Sequence, residues 1–166
     1  MLAFCLPIPL HSNESGRKEW VVGGLSGLLQ HAVVEDVVRV LNQSPLPAAQ
    51  LVQARAVPFP LYACAAAFHA RTAFENHSSV AQTLSMEWLL WLARDRQVER
   101  ALEKIGVHAH SNNQRVALLG MGSKMEVERV LPEMAVRLNM KMVKGPRETQ
   151  RAVDWNALEA LALHRL

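Results

Sequence analysis

A chain of 166 residues is the size of one folding unit, because two separate cores would each be small for their surface. Half of its residues are hydrophobic and a fifth are charged, which excludes a disordered polar chain and leaves enough apolar surface to offset the entropy of ordering. A formal net charge of +3, with a pI near 9.2 and seven histidines, permits contact with a polyanion but falls well short of a histone-like excess.

The opening Met1 to Leu10 is apolar but contains Pro7 and Pro9 and lacks a basic leader, so it reads as an edge strand rather than a signal peptide. Polar residues follow, and Trp20-Val21-Val22-Gly23-Gly24 reads as a second strand that can pair with the first as a hairpin. From Leu25 to Leu41 the apolar positions Leu25, Leu28, Leu29, Ala32, Val33, Val37 and Val40 recur at helical spacing and predict a helix, ended by Asn42 to Pro47. Leu51 to Val57 predicts a strand, closed off by Pro58 and Pro60.

Leu61 to Asn76 is rich in alanine, and Ala63, Ala66, Ala67, Ala70, Ala73 and Phe74 share one helical face that another backbone can approach closely. Two helices are predicted between Thr83 and Gly106. Thr83 or Ser85 can cap the first, Asp95 can cap the second, and Gly106 can end it in the left-handed conformation. The first is apolar nearly all round, with Leu84, Trp88, Trp91 and Leu92 on one face and Met86, Leu89, Leu90 and Ala93 on the other. The second is amphipathic, with Val98, Ala101, Leu102 and Ile105 inward and Arg96, Glu99, Arg100, Glu103 and Lys104 outward.

Arg115 to Leu119 predicts a short buried strand. Ser123 with Glu126 has the spacing of a capping box for a helix that Pro132 should kink or break. Lys141 to Lys144 predicts a last strand before Gly145-Pro146, and the tail from Asp154 carries Trp155, Leu158, Leu161 and Ala162 on one side of an amphipathic helix. The whole reads as a single domain over residues 1–166 of mixed α/β class, a small central sheet flanked by a helical layer. Cys5 and Cys64 form no Cys-x-x-Cys pair, so a reducing, cytoplasmic setting is expected, and no apolar run approaches the roughly 20 residues that span a bilayer.

Motifs for chemistry are weak. Leu119-Gly120-Met121-Gly122-Ser123-Lys124 could cradle a phosphate, but it lacks the Walker spacing and the third glycine of a dinucleotide fingerprint, and a turn with a helix cap is the simpler reading. His108-Ala109-His110 lacks acidic or cysteine partners for a metal, and no nucleophile signature accompanies the serines and cysteines. No cofactor, metal or catalytic residue is expected.

The informative stretch is Met86-Glu87-Trp88-Leu89-Leu90-Trp91-Leu92-Ala93-Arg94-Asp95-Arg96-Gln97-Val98-Glu99-Arg100-Ala101-Leu102-Glu103-Lys104-Ile105-Gly106-Val107, preceded by Ala66-Ala67-Phe68-His69-Ala70-Arg71-Thr72-Ala73-Phe74. Its Glu-x-Leu-Leu, Arg-Gln-Val and Ala-x-x-x-x-Gly elements resemble the signature of the kinase-binding subunit of the KEOPS complex, the TP-kinase-binding family of archaea and eukaryotes. The specific part runs from Leu61 to Val107. Tyr62 stands where that family often has histidine, and Gln97-Val98 replaces Gln-Ile.

The resemblance implies a non-catalytic subunit. It would bind the small atypical kinase/ATPase of KEOPS and help recruit tRNA by its CCA end for threonylcarbamoyladenosine formation, meeting the synthase and dimerising subunits only indirectly, and no membrane. A single-stranded tRNA end offers phosphates to cations and unstacked bases to planar groups. The residues expected to meet it are His69, Arg71, Arg94, Arg96, Gln97, Arg100 and Lys104; those expected to meet the kinase are Trp91, Leu90 and Met86. The alternative is a protein-only adaptor that regulates a kinase without touching RNA.

Overall fold

The computed structural model describes residues 2–8, 19–30, 33–108, 113–143 and 154–163. Five strands are present among them: β1 (Phe4–Pro7), β2 (Val21–Leu29), β3 (Ala48–Gln53), β4 (Gln114–Gly122) and β5 (Met140–Met142). Six α-helices accompany them: α1 (Val34–Asn42), α2 (Pro60–Glu75), α3 (Leu84–Ala93), α4 (Val98–Ile105), α5 (Lys124–Arg137) and α6 (Trp155–Ala162).

All strands join one antiparallel sheet organised on β2. One edge of β2 pairs with β4 along its whole length, from Val21↔Gly122 to Leu29↔Gln114. The other edge is shared by β1, from Phe4↔Gly24 to Pro7↔Val21, and by β5, from Gly27↔Met142 to Leu29↔Met140. β3 lies outside β4, registered from Ala48↔Met121 to Gln53↔Val116.

Alternation along the strands divides the interior into two cores, as the period of two requires. Val22, Ala48, Val52, Ala117, Leu119 and Met121 point into a core shared with α2, α3, α4 and α6. Val21, Leu25, Leu29, Ala49, Leu51, Val116 and Leu118 point into a second core with α1 and α5. The expected α/β class with a central sheet is what forms, and helices cover both of its faces.

Two glycines decide how closely α5 lies on the sheet. Gly23 and Gly120 are paired in register; a Cβ on the first would collide with Val127 Cγ1, and one on the second would sit 2.7 Å from Leu46 Cδ1 and 2.9 Å from Leu131 Cδ2. Their missing side chains form the trough that receives Val127 and Leu131.

The sheet corrects two expectations. Leu25 to Leu29 continues β2, and the helix is confined to Val34–Asn42. Leu25 and Leu29 are four apart, a spacing that puts residues on one face of a strand as well as of a helix, so their recurrence does not discriminate. The strand expected at Leu51 to Val57 begins earlier, at Ala48, and gives way to a 3-10 turn over Ala54–Ala56.

The outer edge of β3 is closed by side chains and backbone from the helical layer. Ser85 Oγ accepts the Ala49 N–H at 3.2 Å, Gln50 Nε2 donates to the Ser85 carbonyl, and Val52 bridges to Gly106. That removes an edge open to further strand pairing.

The capping box at Ser123 and Glu126 is present, and α5 runs unbroken past Pro132 to Arg137. Asp154 caps α6 by accepting the Ala157 N–H at 3.2 Å, and Leu161 is fully buried, whereas Ala162 is exposed. The strand expected at Lys141 to Lys144 corresponds to Met140–Met142. Lys144, Gly145 and Pro146, the polar residues 11–18, Ala32, Ala109 and His110, and the Trp155 side chain lie outside the described residues.

Candidate functional site

The stretch from Leu61 to Val107 folds as one packed layer, α2, α3 and α4. The alanine face of α2 is what allows close approach: Ala63, Ala66, Ala67 and Ala70 are fully buried, and Trp88 Nε1 donates to the Ala63 carbonyl at 3.2 Å. The phenol of Tyr62 donates to the Leu92 carbonyl at 3.1 Å, tying the start of α2 to the end of α3. Burial pushes that phenol's pKa up, and the charge of Arg94 works against the rise.

α3 is capped by Thr83, whose Oγ1 accepts the Met86 N–H at 3.2 Å. Its one acidic side chain, Glu87, is fully buried. Three N–H groups converge on it: Val80 N and Ala81 N, each at 2.9 Å from Oε2, and Trp91 Nε1 at 3.1 Å from Oε1. One carboxyl group thereby fixes both the preceding loop and the Trp91 ring.

The ten residues predicted from the sequence separate into three sets. Leu90 and Trp91 belong to the core, at 0% and 6% exposure, so neither is surface for a kinase; Met86, at 37%, is. A nearly all-apolar helix is buried on almost every side, which is why those two faces are not free.

His69 and Arg71 are held within the fold. The His69 ring stacks on Trp91, centroids 4.6 Å apart and 15° between planes, and meets Phe68 edge-on at 5.6 Å. Burial lowers the His69 pKa, favouring the neutral ring near pH 7. Arg71 is buried, pairs with Glu75 at 2.7 Å and lies 4.8 Å from the Trp20 ring centroid. Its charge is committed to cation–π and ion-pair contacts that join α2 to the entry of β2.

The remaining five, Arg94, Arg96, Gln97, Arg100 and Lys104, are exposed at the α3–α4 corner. Arg94 closes α3 in the left-handed conformation, φ 50° and ψ 53°, and the next amide, Asp95 N, reaches back to the Leu90 carbonyl at 3.0 Å. Gly106, expected to end α4 in the left-handed conformation, instead has φ −66° and ψ 163°. Lys104 is engaged with the Asp95 carboxylate, which leaves Arg94, Arg96, Gln97 and Arg100 of the predicted residues outward, beside the exposed Glu99 and Glu103 of α4. Leu102, expected inward, is 45% exposed on α4.

The other sequence signals resolve locally. Gly120 and Gly122 lie inside β4, so no glycine loop is available there for a phosphate. His108 is exposed and its Nε2 lies 3.0 Å from Gln53 Nε2. Among the described residues no three His, Cys, Asp or Glu side chains converge as metal ligands, and no helix is long and apolar enough to cross a membrane. The feature that sequence reasoning understates is Asp95, legible only as a helix cap; its tie to Lys104 spans nine positions and follows no helical repeat.

Compared with known protein families and curated proteins, the chain matches no family model and no curated sequence.

Proposed function

We propose that this chain is a non-catalytic subunit of a cytoplasmic KEOPS-type complex, binding the complex's small atypical kinase/ATPase and helping to recruit tRNA through its CCA end for threonylcarbamoyladenosine formation. Its support is the resemblance over Leu61 to Val107, a stretch that folds as the single layer α2–α3–α4. In this reading the synthase and dimerising subunits are reached only through the other components.

The observation that carries the RNA part is the α3–α4 corner, where Arg94, Arg96 and Arg100 are exposed together with Gln97 while the carboxylate of Asp95, between the first two, is turned inward, leaving those of Glu99 and Glu103 on α4 as the exposed acidic groups. Cations of this kind suit phosphates, and half-buried Phe68 on α2 is a planar group of the type that unstacked bases use. For the kinase, the exposed apolar residues on these helices include Leu61, Met86 and Leu102 but not Leu90 or Trp91.

Two experiments test the two halves. Co-purification with the cognate kinase is expected, and a clean failure would count against the family reading. Charge reversal at Arg96 and Arg100 should weaken tRNA binding and flatten its salt dependence by about one unit of slope for each phosphate no longer neutralised. Kinase binding with no tRNA binding would select the protein-only adaptor, for which the exposed Met86 and Leu102 speak equally well.

A further inference from the structure

The α3–α4 corner holds a carboxylate flanked on both sides by arginine. Asp95 lies between Arg94 and Arg96, with Arg100 one turn on, and a solvent-facing carboxylate there would repel phosphate and cancel one cation. Its side chain is instead only 10% exposed. One oxygen accepts the Gln97 N–H at 3.1 Å, and the other takes the Lys104 ammonium.

Two consequences follow from these contacts. In charge, Asp95 and Lys104 neutralise one another, so Arg94 and Arg96 face outward with no carboxylate between them, and the exposed acidic groups of the corner are Glu99 and Glu103 on α4. In geometry, the amides of residues 96 and 97 are donors that precede α4 and have no partner within that helix. Gln97, at the N-cap position of α4, makes no side-chain cap bond, and its own amide is taken by Asp95 from upstream. With Arg94 already fixed by the closure of α3, the backbone on both sides of Arg96 is set by the Asp95 side chain.

We propose that Asp95 is a positioning residue for RNA capture: by gathering the Gln97 amide and the Lys104 ammonium, it fixes the corner in the shape that presents Arg94 and Arg96 to a phosphodiester backbone. This rests on the RNA part of the proposed function. Asp95 itself contacts no phosphate.

The test exploits opposite signs. Asp95→Ala raises the net charge by one, so electrostatics alone tightens binding to tRNA, whereas loss of positioning weakens it. We expect the full-length Asp95→Ala protein to bind tRNA about threefold to tenfold more weakly and to lose about one unit of salt slope, as when one phosphate partner is removed. Asp95→Ser, which keeps a capping oxygen without the ion pair, should recover most of both, and it keeps the comparison available should the alanine variant fail to fold.

Equal or tighter binding by folded Asp95→Ala, or binding by Asp95→Ser tighter than that of the unaltered protein, with the slope unchanged, overturns the positioning role. If Arg96→Glu weakens binding while Asp95→Ala does not, only the Asp95 assignment falls. If the unaltered protein does not bind tRNA at all, the RNA reading falls and the role of Asp95 with it.

Discussion

The indole N–H of Trp91 donates to the fully buried carboxyl group of Glu87 at 3.1 Å, four residues earlier on the same helix. The opposite oxygen of that carboxyl accepts from Val80 N and Ala81 N, so each oxygen is matched to an N–H donor. Glu87→Gln replaces one oxygen with an NH2 group, and in either orientation that group faces a donor. Destabilisation of about 2–4 kcal/mol is expected in urea denaturation, with unchanged helical content at low urea. A change below about 0.5 kcal/mol would show that the carboxyl is not what holds the loop.

Arg94 sits at φ 50°, where a Cβ is unfavourable and glycine is the usual occupant. Arg94→Gly should therefore stabilise the fold, by about 0.5–1 kcal/mol, while weakening tRNA binding. The two effects having opposite signs is the diagnostic point. A stabilised variant with undiminished affinity for tRNA would remove Arg94 from the RNA surface.

Leu90, expected at the kinase interface, is fully buried; Met86 and Leu102 are exposed. Leu90→Ala should cost about 2–5 kcal/mol of stability, as for other core leucines, through the cavity it opens. Met86→Asp and Leu102→Asp should change stability little and weaken kinase co-purification. Normal co-purification by both aspartate variants would move the kinase contact off these helices.

The carboxyl of Asp95 is held down from an ordinary 3.8 to about 2, first by the Lys104 hydrogen bond and then by the Gln97 amide. Between those two values the unfolded chain takes up a proton that the folded chain refuses, so this contribution to stability is complete above pH 4 and disappears as pH falls toward 2. Thermal melts should show the wild type ahead of Asp95→Asn above pH 4 and the gap closing by pH 2. A gap independent of pH would mean that Asp95 is not differentially protonated on folding.

Much of the helical layer is legible in the sequence because its signals are local. Thr83 caps α3, the alanines of α2 share one packed face, and Ser123 with Glu126 closes the α5 capping box. Only half of β2 is legible, because both of its faces are buried and its partner β4 lies some 90 positions away, so nothing local marks the strand. The site is less legible for the same reason. Arg71 looks like any surface arginine until Trp20 and Glu75 are placed beside it, and Lys104 looks free until the chain turns at Arg94 and brings Asp95 to it. Which cation faces water depends on contacts that no periodicity encodes.

Capture of the single-stranded end of tRNA is the central claim, and equilibrium binding of the purified protein to intact tRNA and to the same tRNA lacking its terminal CCA measures it directly. Tighter binding to the intact molecule is predicted, with a salt slope that falls when Arg94 or Arg96 is replaced by glutamate. Equal affinity for the two tRNAs, or no binding to either, would contradict it.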